Sequence, residues 1–355
     1  MLILNAGEQD RGEFTCTVFD TTLVVLKFRL DVIASIEDSE DAFQCGYPRQ
    51  RSRIVGGREV NDPGAYPWMA LLWHKVQRRP ICGGALLSHR FLVTAPQCLL
   101  QSGFDPNDVE VRIGEQNITS TENYEVTMQI AEIIPHPNFD QSTYDSDILL
   151  LRLQQPVVYS DYIIPICLPS ERRGERFLQA GTRSYVIGWG RTEHSASPSD
   201  YSDILRRANL SITDQEQCGS QHTHVVTNNM FCAIGESRGE DSCSGDSGGP
   251  LIIEVRSHFK ECYVVRIHII ISMDMNCFKT LDIDFHWQMI SILSNSFLSC
   301  KDEGRNYLVG IVSWGIGCGD INFPGVYTRV NRFTKWILEF IRSDLEPCRG
   351  KNLYS

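Results

Sequence analysis

The sequence is short of positive charge. It has 33 Lys and Arg residues against 44 Asp and Glu residues, which gives a net charge of −11 at neutral pH. Proteins that bind nucleic acids or anionic membrane surfaces usually carry an excess of basic side chains. The composition therefore argues against a nucleic-acid partner and gives no support for binding to a membrane surface.

The chain also lacks long apolar runs, and no run is long enough to span a bilayer. Polar residues follow Met1–Leu4 at once, so the start has neither the apolar core nor the cleavage site of a signal peptide. Thirteen cysteines nevertheless indicate an oxidising, extracellular compartment. Two N-x-[ST] triplets, at Asn117 and Asn209, fit the same route. We therefore expect the sequence to begin inside a longer secreted protein.

Internal repeats and an alternation of strands with helices are missing as well. From Ile54 onward, short β-rich runs alternate with turn residues, which predicts an all-β fold. The exception is Asn331 to Ile341, where apolar residues recur at helical spacing and predict a terminal helix with one packed face. Those residues are Phe333, Trp336, Ile337, Phe340 and Ile341.

The most informative run of residues is 241–250, which reads DSCSGDSGGP. A serine hydroxyl such as that of Ser247 is a poor nucleophile unless a sharp turn holds it beside a base and donors face the developing oxyanion. The glycines of the run permit that turn, and the amides of Gly245 and Ser247 are the natural oxyanion donors. Asp246 is a candidate buried carboxylate that needs a cation. The alternative, a surface turn rich in glycine and serine, does not explain the length of the run.

The segment GDSGGP resembles the nucleophile motif of the trypsin-like (chymotrypsin-type) serine peptidases. The resemblance covers Ile54 to Arg342, apart from one foreign block. It implies two six-stranded antiparallel β-barrels with the active site in the cleft between them, followed by a C-terminal helix. It also implies protein substrates and no cofactor for catalysis.

The family places a histidine, an aspartate and a serine along the chain in that order. By resemblance, Asp147 is the orienting aspartate and Ser313 supports it; the alternative is a solvated aspartate at the start of a strand. The base is missing, because residues 94–98 read TAPQC where the family has TAAHC. The amide of Gln97 has no titrating nitrogen near neutral pH, so it cannot take the proton of Ser247.

The resemblance further implies a specificity pocket for arginine or lysine. Asp241 stands where the family places the carboxylate at the pocket floor, and Gly315 and Gly325 would keep the walls open. Ser313, Trp314 and Gly315 would offer the strand edge along which a substrate backbone pairs. The alternative for Asp241 is an exposed loop acid.

An activation site is implied at the Arg53–Ile54 bond. The polar segment 36–53 ends in a basic run, and the IVGG sequence that follows resembles the family's mature N-terminus. An activating protease that cuts after Arg53 would free the amine of Ile54. That ammonium would pair with Asp246 and order the oxyanion loop, as a switch and not as a source of stability.

Four disulfides follow from the family register. They are Cys45–Cys167, Cys82–Cys98, Cys218–Cys232 and Cys243–Cys318. The first would keep the propeptide attached after cleavage. Cys300 resembles half of a further family bridge, but Ser184 occupies the partner position.

A structural calcium site is implied by a loop that matches the family's calcium loop. Its carboxylates are those of Glu115, Glu122 and Glu125, and the carbonyls of Asn117 and Ser120 would complete an oxygen shell. The alternative is an acidic loop without a metal.

The remaining segments define the predicted domains. Residues 1–35 contain DRGEFTC, which resembles a corner of an immunoglobulin-type sandwich, with a strand from Thr21 to Val32 after it; the alternative is an unrelated β-hairpin. Residues 36–53 form a propeptide, residues 54–343 the peptidase domain and residues 344–355 a tail. The block at about 255–299 has no counterpart in the family. It is either a retained intron or misassembled gene sequence, or a genuine insertion.

Two functions are consistent with these residues. The first is a secreted, zymogen-type homologue that has lost catalysis through Gln97 and acts by binding in an extracellular proteolytic cascade. The second is an active endopeptidase that cleaves after Arg or Lys, which requires Gln97 to be a sequence error or an allele. His89, the nearest histidine, offers no rescue because it lies at the far end of the same strand.

Overall fold

The structure is a computed structural model, and it divides into two compact units. The smaller unit combines residues 1–41 with 256–303, and the larger combines 42–255 with 304–355. The described residues are 45–48, 58–60, 62–101, 103–191, 201–222, 224–236, 245–255, 304–315 and 323–345, with the backbone of strands at 12–19, 23–33, 263–272 and 295–299.

The elements are named here in chain order. The strands are β1 (Gly12–Phe19), β2 (Leu23–Ile33), β3 (Arg58–Glu59), β4 (Met69–His74), β5 (Arg79–Leu86), β6 (Phe91–Thr94), β7 (Val109–Ile113), β8 (Val126–Met128), β9 (Ile130–Pro135), β10 (Leu149–Leu153), β11 (Arg183–Gly188), β12 (Arg206–Ile212), β13 (Met230–Gly235), β14 (Pro250–Glu254), β15 (Tyr263–Ser272), β16 (Asn295–Ser299), β17 (Asn306–Trp314) and β18 (Gly325–Arg329). The helices are α1 (Glu171–Phe177), α2 (Gln215–Gln221) and α3 (Thr334–Leu345).

The first barrel of the larger unit closes through a bent strand. Its antiparallel order is β8-β7-β4-β5-β6-β10-β9. Only Gln129 separates β8 from β9, and the two halves pair with opposite ends of the sheet, β8 with β7 and β9 with β10. The two halves therefore act as one strand that closes a six-stranded barrel.

The second barrel closes by direct pairing. Its order is β11-β14-β17-β18-β13-β12, and β12 returns to β11. The short strand β3 extends this sheet beyond β12. The implied fold of two six-stranded antiparallel barrels is therefore confirmed.

Some barrel strands bury more of their residues than a simple alternation of buried and exposed side chains would give. Every residue of β4 is buried, and so are four of the five residues of β10. The apolar residues of both strands belong to one large cluster of buried apolar side chains. Burying a leucine or isoleucine completely is worth roughly 1.5–3 kcal/mol, so this core holds the cleft rigidly.

The predicted terminal helix is present, but its bounds differ from the prediction. A 3₁₀ turn occupies Val330–Arg332, and the α-helix begins only at Thr334 and continues to Leu345. Ile337 and Ile341 are buried, in keeping with the predicted packed face. Within the ranges described above, no helix has both the length and the apolar character that a bilayer crossing requires.

Two short helices were not predicted. The hydroxyl of Ser170 caps α1 by accepting from the Arg173 amide at 3.3 Å. The carboxylate of Asp214 caps α2 by accepting from the amides of Glu216 and Gln217, at 2.8 and 3.2 Å. These caps stabilise short helices that apolar periodicity cannot reveal, because each helix has only seven residues.

The smaller unit is a four-stranded antiparallel sheet in the order β1-β2-β15-β16. Its central pairing joins β2 to β15, with Leu30 opposite Ile269. One sheet thus contains strands from both the N-terminal segment and the block at about 255–299. The immunoglobulin resemblance, the predicted domain boundaries and the origin of the block stay predictions.

Candidate active site

The predicted nucleophile, Ser247, lies in a tight turn immediately before β14. The turn has left-handed backbone at Gly245, with φ of +104°, and at Gly248, with φ of +75°. A Cβ added at Gly248 would lie 2.1 Å from the Thr94 hydroxyl, so the turn is packed directly against the end of β6. The Ser247 carbonyl accepts from the Gly83 amide at 2.9 Å, which ties the turn to the first barrel.

Two amides of this turn have no acceptor among the described residues. The amides of Gly248 and Gly249 donate within the protein, to carbonyls at 2.9 and 2.8 Å. Those of Gly245 and Ser247 donate to none of the residues that the structure describes. These two amides are therefore still candidates for the oxyanion donors that the sequence predicts.

Asp246 is buried beneath the same turn. Its Oδ1 accepts from the Gly190 amide at 2.9 Å. A Cβ added at Gly188 or Gly190 would lie 2.1 or 2.3 Å from the carboxylate oxygens, so these glycines make room for it. Arg53 and Ile54 lie outside the described residues, and the predicted ion pair with the Ile54 amine stays a prediction.

Asp147 is fully buried two residues before the start of β10. Its Oδ2 accepts from the Ser313 hydroxyl at 2.6 Å, and its carbonyl accepts from the Thr328 hydroxyl at 2.7 Å. Burial raises the pKa of this carboxyl from 3.8 to about 7, although the Ser313 hydroxyl and the Gln97 backbone amide lower it in part. Its Oδ1 is buried and has no hydrogen-bond partner.

Gln97 lies at the centre of the 3₁₀ turn Pro96–Cys98, just after β6. Its Nε2 donates to Asp147 Oδ2 at 3.3 Å and to the Ser313 carbonyl. Both amide hydrogens are thereby directed at acceptors in the cleft wall. The side chain fills the position predicted for the base, but it brings only an amide.

No histidine of the described residues is hydrogen-bonded to Ser247 or Asp147. His89 lies before β6, where its Nδ1 is 2.8 Å from the Val157 carbonyl and its ring stacks on Tyr159. The other described histidines make different contacts, namely His74 with Phe104, His136 with Phe333 and Trp336, and His222 and His224 with Trp314.

The loop that leads to Asp147 is fixed by hydrogen bonds of Asp145, which the sequence did not predict. Tyr144 and Ser146 both have left-handed backbone, with φ of 58° and 57°. Between them, the Asp145 carboxylate accepts from Asn229 Nδ2 at 3.0 Å and from the Thr227 hydroxyl. These contacts link the loop of the first barrel to the second barrel, and no local sequence signal announces them.

The predicted pocket is described in part. Gly315 is exposed and Gly325 is buried, and a Cβ added at Gly315 would lie 3.7 Å from the Gly325 Cα. Ser313 and Trp314 form the end of β17 beside them. Asp241 lies outside the described residues, so its place at the pocket floor stays a prediction.

Three disulfides join the cysteines in pairs that the resemblance implies. They are Cys45–Cys167, Cys82–Cys98 and Cys218–Cys232. Cys243, Cys318 and Cys300 lie outside the described residues. Ser184 is buried and donates its hydroxyl to the Leu210 carbonyl at 3.3 Å.

Comparison with known proteins decides the family. The family model described as Trypsin matches residues 54–292 and 298–337. The chain belongs to the trypsin family. It is 31% identical over 290 residues to "Vitamin K-dependent protein C" of Oryctolagus cuniculus, covering 80% of this chain and 51% of that protein. It is 32% identical over 293 residues to the protein of that name from Rattus norvegicus, covering 81% and 52%. The chain thus spans about half the length of these curated relatives.

The acidic loop of this trypsin-family chain gathers its three carboxylates. Ligand oxygens of Glu115, Glu122 and Glu125 lie within 4.8 Å of one another. Each residue has one buried carboxylate oxygen without a hydrogen bond. Burial and the charge of Glu125 raise the pKa of Glu115 to about 7, although the Arg112 guanidinium opposes that shift.

The predicted carbonyl ligands of the same loop form a turn. The Asn117 carbonyl accepts from the Ser120 amide at 3.0 Å, and the Ser120 hydroxyl donates to Glu122 Oε1 at 2.7 Å. Crowded carboxylates that repel one another are donors that Ca²⁺ accepts. The residues present therefore fit a calcium ion.

Proposed function

We propose that this chain is a secreted, zymogen-type trypsin homologue that binds an arginyl or lysyl segment of a protein partner and hydrolyses it poorly or not at all. Its role would be a binding role within an extracellular proteolytic cascade. The observation that carries the proposal is the contact of the Gln97 amide, at the position where the resemblance implies the base, with Asp147 Oδ2 and the Ser313 carbonyl, to both of which it donates.

The chemistry of acyl transfer explains why this amide matters. The base must take the proton of the Ser247 hydroxyl and return it to the leaving amine. A carboxamide nitrogen is not basic near neutral pH, and that of Gln97 is already used as a donor. In serine peptidases the loss of one triad member lowers kcat by roughly 10⁴–10⁶.

The binding half of the proposal is supported by the parts of the site that need no base. The amides of Gly245 and Ser247 donate to none of the described residues, and a Cβ added at Gly315 would lie 3.7 Å from the Gly325 Cα, which fits the glycine walls that the resemblance implies. If Asp241 lies at the floor, a charged hydrogen bond would select arginine or lysine.

The zymogen and calcium parts are supported by two further features. The Cys45–Cys167 disulfide would keep the segment before Arg53 attached after activation. The clustered carboxylates of Glu115, Glu122 and Glu125 would hold Ca²⁺ and rigidify their loop. Both features fit an oxidising, calcium-rich extracellular medium.

An active endopeptidase that cleaves after Arg or Lys is the alternative. The observation that favours it is the assembled remainder of the triad, because Ser313 still donates to Asp147 at 2.6 Å. This alternative requires histidine at position 97 in the natural protein.

The test is to cut the full chain after Arg53 and measure two quantities on the same sample. One is the hydrolysis of an arginyl p-nitroanilide, and the other is the calorimetric binding of benzamidine, which mimics the arginine side chain. Binding without measurable hydrolysis is expected, and Asp241→Ser should abolish the binding. Turnover at ordinary peptidase rates would overturn the proposal in favour of the active enzyme.

A further inference from the structure

The sequence contains two acceptor triplets for N-linked glycans, at Asn117 and Asn209, which the proposed function does not use. Such triplets also occur by chance, so the fold has to distinguish an acceptor from a coincidence. An N-linked glycan is bulky and hydrophilic, and its asparagine therefore belongs on a surface loop. The two asparagines differ in this respect.

Asn117 lies in a surface turn with a fixed backbone. The Ser120 amide closes the turn by donating to the Asn117 carbonyl at 3.0 Å, and the Ile118 amide donates to the Asp203 carbonyl at 2.9 Å. Thr119 and Ser120 are exposed. A bulky group attached to this turn can therefore extend into solvent without any change in the backbone.

The carboxamide of Asn117 is oriented by the third residue of its own triplet. Its Oδ1 accepts from the Thr119 amide at 3.1 Å and from the Thr119 hydroxyl at 2.7 Å. A backbone amide can only donate, so the atom that faces it must be the oxygen of the carboxamide. Nδ2 donates to none of the described residues and is not buried. The nitrogen that a glycan would modify is thus the atom that the fold leaves accessible.

Asn209 lies inside a paired strand. It is opposite Tyr185 of β11, and β12 also pairs with β13 on its other side. The Asn209 Oδ1 accepts from Arg207 Nε at 3.1 Å. The guanidinium carbon of Arg207 lies 3.9 Å from the centre of the Tyr185 ring. A glycan on Asn209 would have to fit beside this packed group, so we expect chains modified there to fold poorly.

We propose that Asn117 carries an N-linked glycan and that Asn209 is unmodified in the secreted protein. The sugar donor is an oligosaccharide on a lipid diphosphate. A bond forms between Nδ2 and C1 of the sugar, the bond between C1 and the diphosphate oxygen breaks, the lipid diphosphate leaves and Nδ2 loses one of its two protons. The predicted calcium ligand at Asn117 is its carbonyl, which the modification leaves in place. This inference shares only the secretory route with the proposed function.

The glycan would cover the turn from which it extends. Thr119, Ser120 and Thr121 are all exposed, and exposed loop tips of small polar residues are where proteases cut most readily. A glycan on Asn117 would therefore protect this turn, and the acidic loop that continues to Glu122 and Glu125, from other proteases.

The test is to secrete the full chain from animal cells behind a supplied signal peptide and to remove N-glycans with an amidase in heavy-oxygen water. That enzyme converts a glycosylated asparagine to a labelled aspartate, which peptide mass spectrometry locates. Label is expected at Asn117 and not at Asn209. The Cys45–Cys167 disulfide in the same sample would show that the chain passed through the oxidising compartment. An unlabelled Asn117 in such a sample would overturn the inference, and a labelled Asn209 would refute the distinction between the two positions.

Variants of the triplet test the acceptor without touching the asparagine. Thr119→Ala should remove the glycan, whereas Thr119→Ser should keep it because serine also completes the triplet. Asn209→Gln is the matched control and should leave the mass of the attached glycan unchanged. A glycan that survives Thr119→Ala would contradict the assignment to Asn117.

Limited digestion with subtilisin tests the protective role. Cleavage within residues 117–125 should be severalfold faster for Thr119→Ala than for Thr119→Ser. After enzymatic removal of the glycan, the two variants should be cut at similar rates. Equal rates before this removal, or a difference that persists after it, would refute the protection by the glycan.

Discussion

The substitution Asp147→Asn should change how the stability of the protein depends on pH. Asp147 is fully buried, and burial raises its pKa from 3.8 to about 7. The folded chain therefore keeps the proton up to about pH 7, whereas the unfolded chain loses it near its ordinary value. Between these values the unfolded state binds fewer protons, so the free energy of unfolding falls as pH rises.

The magnitude follows from the two pKa values. The interval from 3.8 to about 7 corresponds to roughly 4 kcal/mol at about 1.36 kcal/mol per pKa unit. This stability is fully present below pH 3.8 and is lost as pH rises to about 7. Asparagine cannot ionise, so the variant should lack this part of the pH dependence whatever its absolute stability.

The assay is urea unfolding of the parent and of Asp147→Asn at several pH values from 4 to 8, read by tryptophan fluorescence. Asp203→Asn, at an exposed carboxylate, controls for the general effect of removing a negative charge. The difference in the free energy of unfolding between the parent and Asp147→Asn should change by several kcal/mol across this interval. The control variant should not show this change. A difference that stays constant within about 1 kcal/mol would refute the assignment of a proton to Asp147.

Three further predictions concern other parts of the fold. Millimolar Ca²⁺ should raise the melting temperature by a few degrees, and Glu122→Gln should abolish the rise. An equal rise in the variant would exclude this loop as the calcium-binding site. After cleavage at Arg53, the N-terminal fragment should leave the protein on a gel only under reducing conditions, because of the disulfide at Cys45. Gly248→Ala should cost several kcal/mol by urea unfolding, whereas Gly181→Ala, with φ of +82° but open space, should cost about 1 kcal/mol; equal costs would refute the packing argument.

The motif at 245–250 sufficed to predict the two barrels, because a nucleophile turn of this kind is specific to one fold family. The terminal helix was predictable from its apolar spacing, although Phe333 precedes the α-helix and does not belong to it. The helices capped by Ser170 and Asp214 were not predicted, since their stability comes from single capping hydrogen bonds. The capping residues themselves were the sequence signal for these two helices, because the spacing of apolar residues does not indicate them.

The surroundings of the site were harder to predict than its motif residues. Gln97 was found from its neighbours in sequence, but its bond to the Ser313 carbonyl joins residues 216 positions apart. The pairing of β2 with β15 depends on strand register across more than 200 residues, which no local pattern encodes.

The central claim is that Gln97 alone separates this site from a working peptidase. The most direct measurement is kcat/KM for an arginyl amide with the chain cut after Arg53, for the parent and for Gln97→His. The resemblance implies that a histidine there would contact Asp147 on one side and Ser247 on the other, so the variant should gain roughly 10⁴-fold or more over a nearly silent parent. A parent that turns over as fast as the variant, or a variant that stays as silent as the parent, would contradict the account.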